Sequence, residues 1–195
     1  MTRPDLSVNL GGLLLTTPII AASGPLGNSH EYRERFSTAA FGAIITKGVS
    51  LEPWAGNRSP RLAETASGML NSIGLQNPGL KKFLEHDLPQ LKDAGPRIIV
   101  NIVGRTIEEY AQVAATLSVA GGVAGIEVNI SCPNIKAGGI AFGTDPGLTY
   151  SVVSAVRRQT TLPLLVKLSP NVTDITVIAR AAEEAGADSL SLINT

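Results

Sequence analysis

The chain has 195 residues, of which 44% are hydrophobic and only 4% are aromatic. That length is sufficient to bury a sizeable core, and we expect one domain spanning residues 1–195. Its 16 basic and 16 acidic residues balance, so no bulk charge would attract nucleic acid or an anionic membrane. We therefore expect a small-molecule ligand and neither a nucleic-acid nor a membrane partner.

Two further features bear on location. Cys132 is the only cysteine, which excludes an internal disulfide and fits a reducing, cytoplasmic setting. The apolar stretch at residues 11–24 is interrupted by Thr16, Thr17 and Pro18, and it is shorter than the ~20 residues of a membrane span. A cytoplasmic protein is the resulting expectation.

Short β-branched runs alternate with helix-like segments along the chain. Runs that are apolar at nearly every position are typical of strands covered by helices on both faces. Helix signals lie between them: Thr106-Ile107-Glu108-Glu109 and Asn28-Ser29-His30-Glu31 resemble capping boxes, and Asn77-Pro78 places a cap before a proline. The predicted strands are residues 18–22, 43–47, 97–103, 125–131, 162–168 and 189–194.

This alternation predicts an α/β fold with parallel strands and right-handed crossovers. Six strands and five helices fit either an open doubly wound sheet or an incomplete (β/α)8 TIM barrel. The first strand–helix junction, residues 22–27, lacks the glycine spacing of a dinucleotide-binding turn, which favours the barrel. Two long connections, residues 48–79 and 133–144, follow strand ends and are interpreted as binding loops.

Polar residues stand where several apolar runs end. Asn101, Asn129 and Asn194 occupy such positions, and three convergent amides suit the carbonyl and N–H edges of a pyrimidine or a flavin. A single asparagine would more simply satisfy a turn. Lys47 and Lys167 also end apolar runs; each either meets an anion or extends into water. Composition alone leaves Cys132 open between a small buried residue and a catalytic base or nucleophile.

Four motifs make the chain similar to a known family. TKGVSLEP at 46–53, LNSIGLQNPG at 70–79 and NISCPN at 129–134 resemble signatures of class 1 dihydroorotate dehydrogenases. KAGGIAFG at 136–143 resembles class 1B, the NAD-linked catalytic subunit. The resemblance extends from the first residues to Thr195 and implies a TIM barrel that oxidises dihydroorotate to orotate in pyrimidine biosynthesis.

The same resemblance implies a role for individual residues. Cys132 would be the catalytic base that takes the proton from C5 of dihydroorotate while hydride passes from C6 to N5 of FMN. Substrate contacts are implied for Lys47, Asn71, Ser72, Ile73, Gly74, Leu75, Asn129, Asn194 and Thr195. FMN contacts are implied for Ala22, Ser23, Gly24, Lys47, Gly48, Asn101, Asn129, Lys167 and Ile193. No metal site is expected in this chain.

Class 1B enzymes pair the catalytic subunit with one that carries FAD and an iron–sulfur cluster, forming a heterotetramer. A lone cysteine cannot ligate such a cluster, so it is expected on the partner. Fumarate-using class 1A oxidases, dihydropyrimidine dehydrogenase flavin domains and an inactive fragment remain alternatives. Since a complete (β/α)8 barrel has ~250 residues, strands seven and eight are expected to be missing. We expect residues 1–195 alone to be poorly soluble, flavin-free and inactive.

Overall fold

The computed structural model describes residues 4–26, 37–131 and 142–194. In chain order its strands are β1 Val8–Leu10, β2 Leu13–Leu15, β3 Ile20–Ala21, β4 Ala43–Ile45, β5 Leu62–Thr65, β6 Gly68–Asn71, β7 Arg97–Ile102, β8 Gly125–Asn129, β9 Leu164–Lys167 and β10 Ser189–Ser191. Its α-helices are α1 Leu80–Lys82, α2 Leu88–Lys92, α3 Ile107–Val119, α4 Pro146–Arg157 and α5 Ile175–Glu184. A π-helical turn, Phe83–Asp87, joins α1 to α2.

Six strands form one parallel sheet in the order β3-β4-β7-β8-β9-β10. Each strand of this sheet lies beside its predecessor in the chain and runs in the same direction. A doubly wound sheet reverses its order at a switch point, whereas a barrel adds strands in sequence. The strand order therefore decides for the barrel, and the predicted (β/α)8 fold class is confirmed for the strands described.

The sheet is curled rather than flat. Lys167 on β9 donates a hydrogen bond of 3.4 Å from Nζ to Oγ of Ser23, just after β3. Four strand spacings separate β9 from β3, and at about 4.8 Å each a flat sheet would hold them about 19 Å apart. A side chain crosses between them only because the sheet closes on itself. The interior of the barrel is thus shared by its first and fifth strands.

The barrel has two apolar layers. Inside, Ile45, Ile99 and Leu165 pack against Leu13 and Leu15 of the β1–β2 hairpin. That hairpin closes the amino-terminal end of the barrel, and the sequence pattern did not predict it. Outside, helices cover the sheet through residues spaced three and four apart, as an amphipathic helix requires; on α3 these are Tyr110, Val113, Ala114 and Leu117.

Local signals explain where the helices begin. Thr106 accepts a hydrogen bond from Glu109 N, so the predicted cap of α3 is confirmed. The Glu109 carboxylate accepts from Arg105 N rather than from Thr106 N. The cap predicted at Asn77-Pro78 is wrong, because α1 begins at Leu80 after Gly79. The Asn77 side chain is instead occupied by the preceding connection. The capping box predicted at 28–31 lies outside the described residues.

The long connection after β4 is more regular than its glycine and proline content predicted. Residues 62–71 form the antiparallel hairpin β5–β6, both strands of which are exposed to solvent throughout. The hairpin was missed because neither strand alternates between buried and exposed positions, which is the usual strand signal.

No helix in the described ranges is long and apolar enough to cross a membrane.

Candidate active site

The carboxyl-terminal half of the barrel interior contains a continuous chain of polar side chains. Glu127 on β8 accepts hydrogen bonds from Asn101 Nδ2 at 2.5 Å and from Ser191 Oγ at 2.6 Å. Asn101 Oδ1 accepts from Asn129 Nδ2 at 3.3 Å. Asn129 Oδ1 in turn accepts from Ser131 N and Ser131 Oγ at 3.2 and 2.8 Å. We call these five residues the interior polar chain.

This chain is deeply buried. Asn101 and Glu127 are 0% and 1% exposed, and Asn129 is 7% exposed. Buried polar groups are costly unless they are paired, so the network must be formed as a unit. Asn194, beyond β10, extends the interior polar chain at Ser131 by donating from Nδ2 to Ser131 O at 3.1 Å. The structure therefore brings together all three asparagines that the sequence analysis selected.

Two lysines border the same end of the barrel. Lys167 is half-buried and pairs in register with Asn129 and Ser191 on the flanking strands. Lys47, two residues beyond β4, is exposed. Within the described ranges neither ammonium has a carboxylate within 4.0 Å, since the one ion pair found there joins Arg157 and Asp188. Both cations are available to an anionic ligand.

The predicted flavin contacts differ in how far their side chains are exposed to solvent. Ser23 is buried beside Lys167, while Ala22 and Gly24 on either side of it are exposed. Ile193 is 45% exposed. A Cβ on Gly48 would lie 3.1 Å from Val103 Cγ1 and 3.2 Å from Asn101 Oδ1, so a larger residue would press on that amide.

The predicted substrate loop is held by hydrogen bonds from Asn57, which lies earlier in the same connection. Asn71 and Ser72 are exposed, and Ile73, Gly74 and Leu75 are half-buried. Asn57 N donates to Ile73 O, and Asn57 Nδ2 donates to Ser72 O. Among the described residues no hydrogen bond joins the loop to Asn101 or Asn129. Cys132 and Thr195, the predicted base and a predicted substrate contact, lie outside the described residues, as does most of 133–144.

Leu75 has a left-handed backbone with φ of 54°, which costs a non-glycine residue about 1–3 kcal/mol. Asn77 holds it there by donating from Nδ2 to Leu75 O at 2.9 Å. The Oδ1 atom of Asn77 accepts from Ser50 N, Ser50 Oγ and Gly79 N. One buried amide thus links the loop to Ser50, near the start of the connection that follows β4.

We expect Asn77→Ala to lower the free energy of unfolding by about 1–3 kcal/mol and to expose residues 48–79 to protease. The reason is that the change leaves several buried donors without an acceptor. Urea denaturation and limited proteolysis measure the two effects. Asn171→Ala is the matched control, because that side chain is exposed. Equal stability of the two variants would contradict the assigned role of Asn77.

Sequence reasoning missed Glu127, which lies at the centre of the polar chain. Residue parity along β8 contains the signal: Glu127, Asn129 and Ser131 alternate with Ile126, Val128 and Ile130. Side chains alternate across a strand, so the three polar residues share one face. Tyr110 was also missed; its hydroxyl donates to Asn129 O at 2.8 Å from the helix side of the sheet.

Comparison with known proteins gives a consistent result. The chain is 54% identical to the catalytic subunit of dihydroorotate dehydrogenase B (NAD(+)) from Citrifermentans bemidjiense over 195 residues, which is 100% of this chain and 64% of the relative. The corresponding subunit from Alkaliphilus metalliredigens is 53% identical over the same shares. The chain therefore spans about 64% of the length of these relatives.

The fold comparison agrees with the sequence comparison. The crystal structure of DHODH from Eimeria tenella in complex with ferulenol superposes with a TM-score of 0.79, at 24% identity, over 99% of this chain and 60% of the other. At that identity the match bears on fold alone. The family profile described as dihydroorotate dehydrogenase matches residues 5–195. The chain belongs to the dihydroorotate dehydrogenase family.

Proposed function

We propose that this chain supplies the FMN- and substrate-binding site of an NAD-linked dihydroorotate dehydrogenase, which oxidises dihydroorotate to orotate in pyrimidine biosynthesis. One observation carries the proposal. In a chain of this family, buried amides lie at the carboxyl ends of the barrel strands together with two lysines that have no carboxylate partner among the described residues. That end is where (β/α)8 barrels place their active sites.

The described residues fit a flavin. A flavin presents carbonyl oxygens and ring nitrogens, and negative charge develops near N1 when it is reduced. Among the residues that the structure describes, no group accepts the second amide hydrogen of Asn101 or of Asn129, and Lys167 adds a half-buried ammonium. We assign FMN to Lys47, Asn129 and the further contacts Ala22, Ser23, Gly24, Gly48, Asn101, Lys167 and Ile193. Bound there, FMN would accept the hydride removed from the substrate.

The substrate assignment uses complementary chemistry. Lys47 would face the orotate carboxylate, and the amides of Asn71, Asn129 and Asn194 would pair with the ring's alternating carbonyl and N–H groups. Residues 72–75 would complete the substrate contacts, with Thr195. Leu75 supports a functional role for this loop, since strained backbone held by its surroundings is concentrated at ligand sites.

Cys132 is the proposed base that removes the proton from C5 of dihydroorotate. The residue before it is firmly placed: Ser131 N and Oγ donate to Asn129, and Ser131 O accepts from Asn194. The backbone leading to Cys132 is therefore positioned by two proposed substrate contacts. This arrangement supports Cys132 as the base, because the residues proposed to bind the substrate ring also fix the backbone next to Cys132.

The NAD-linked assignment follows the names of the relatives, which are NAD(+)-type catalytic subunits. We propose a partner subunit with FAD and an iron–sulfur cluster that passes electrons to NAD, in a cytoplasmic heterotetramer. The test measures dihydroorotate oxidation by the holoenzyme with NAD or fumarate, with and without that subunit. NAD reduction that requires the partner is expected. Fumarate turnover without it would favour a class 1A oxidase, and turnover of dihydrouracil would favour a dihydropyrimidine dehydrogenase.

A further inference from the structure

Glu127 is a buried acid that the proposed chemistry does not use. Its side chain is enclosed in the barrel, at 1% exposure, and each carboxylate oxygen meets one donor. Oε1 accepts from Asn101 Nδ2, and Oε2 accepts from Ser191 Oγ. Within the described ranges no cation lies within 4.0 Å of it. A buried carboxylate without a cationic partner is rare enough to require a reason.

The two ends of the interior polar chain have opposite hydrogen-bonding requirements, since Ser131 N donates and Glu127 accepts. A backbone N–H only donates, so Ser131 N requires the oxygen of the Asn129 amide to face it. The Asn129 nitrogen then faces Asn101 and requires an oxygen there. This leaves the Asn101 nitrogen facing Glu127, where a carboxylate can only accept. Both ends therefore impose the same orientation on the two amides.

That orientation determines what the amides can offer to a ligand. Asn129 Oδ1 already accepts two hydrogen bonds, from Ser131 N and Oγ. The Asn129 side chain can therefore make one further hydrogen bond, by donating the second N–H of Nδ2. Asn101 likewise keeps one N–H, because Glu127 takes only one of its two amide hydrogens. Among the described residues, these two side chains therefore keep two N–H donors, and the one acceptor site they keep is the second lone pair of Asn101 Oδ1.

We propose that Glu127 is a positioning residue that fixes the orientation of the Asn101 and Asn129 amides, so that each keeps an N–H for a ligand atom that accepts hydrogen bonds. This inference rests on the proposed function in one respect, namely that the ligand is a flavin. The flavin edge placed here must then present carbonyl oxygen or unprotonated nitrogen. A ligand N–H opposite either amide nitrogen is disfavoured, because two donors would face each other.

Two substitutions separate reach from charge. Glu127→Gln keeps the reach and loses the charge: its Oε1 still accepts from Asn101, and its Nε2 donates to the Ser191 hydroxyl, which can rotate to accept. Glu127→Asp keeps the charge but is shorter by one methylene, so the bond to Asn101 is lost. Glu184→Gln and Glu184→Asp are the matched controls at an exposed glutamate on α5.

The first measurement is the FMN dissociation constant of the holoenzyme and its variants. Glu127→Gln should bind FMN within about threefold of wild type, and Glu127→Asp should bind at least about tenfold more weakly. If Glu127 acts through Asn101, the Asp substitution should cost less than about threefold in an Asn101→Leu background. Full additivity of the two changes, or weak binding by the Gln variant alone, would overturn the proposal.

A second readout is independent of flavin. NMR of protein labelled at asparagine reports the side-chain NH₂ groups directly. The Asn101 signals should keep their shift and slow exchange in Glu127→Gln and move toward solvent-exposed values in Glu127→Asp. Unchanged signals in the Asp variant would contradict the positioning role. If the two variants show these responses but the wild-type protein binds no FMN, the proposed function is contradicted and the positioning role of Glu127 is supported.

Discussion

Replacing Cys132 by alanine is expected to slow flavin reduction by dihydroorotate by about two to four orders of magnitude, the usual contribution of a general base. Orotate binding should persist, because the proposed ring contacts belong to other residues. Only a thiolate accepts the proton, and a free thiol has a pKa of about 8.5. The wild-type reduction rate should therefore rise as the pH increases through the thiol pKa, and this rise should vanish in the variant.

Rapid mixing of the holoenzyme with dihydroorotate under anaerobic conditions measures that rate across pH. Cys132→Ser is the control that replaces the thiol with a hydroxyl of similar size at the same place. A hydroxyl is much harder to ionise than a thiol, so the serine variant should be intermediate at neutral pH and slower than wild type. Near wild-type reduction by Cys132→Ala would remove this residue from the role of base.

Replacing Lys47 by alanine should weaken orotate binding about 10- to 100-fold, since hydrogen bonds to charged groups contribute about 1.5–3 kcal/mol. The same change should lower the reduction potential of the bound flavin, because a nearby cation stabilises the negative charge of the reduced form. The exposure of Lys47 and its lack of a carboxylate partner in the described ranges leave its charge available for both effects. Calorimetry of orotate binding and a spectroelectrochemical titration measure them.

Two further variants isolate the charge. Lys47→Met keeps most of the aliphatic stem but no charge, so it should match the alanine variant in both measurements. Lys81→Ala removes an exposed lysine on α1 and should change neither. If orotate affinity and flavin potential are both unaltered in Lys47→Ala, the lysine is simply a solvated residue beyond the end of β4.

The repeating parts of the fold were predictable because each depends on local pattern. All six strands of the parallel sheet were located, although each is shorter than predicted; β3, for example, covers only Ile20–Ala21 of residues 18–22, and β10 only Ser189–Ser191 of residues 189–194. Apolar runs continue past the last paired residue, since the chain packs on the core before it turns away. The choice between barrel and open sheet needed strand order, which depends on long-range pairing.

The site was predictable to the extent that residue type marked it. Asn101, Asn129 and Asn194 stood out against apolar surroundings. The structure joins Asn129 to Asn101 directly and to Asn194 through Ser131. Glu127 was missed because the predicted polar positions were those at the ends of apolar runs, and Glu127 lies in the middle of β8. Neither hairpin was predicted: β1–β2 gains its stability from packing against Ile45 and Leu165, distant in sequence.

A single-turnover experiment tests the proposed function most directly. The full-length, flavin-loaded catalytic subunit is mixed with dihydroorotate without oxygen, NAD or partner subunit, and flavin absorbance and orotate are followed together. If the site is assigned correctly, the flavin is reduced completely with one orotate formed per flavin, while dihydrouracil, which lacks the carboxylate for Lys47, leaves it largely oxidised. Flavin that stays oxidised with dihydroorotate, or is reduced equally fast by dihydrouracil, would contradict the proposed substrate.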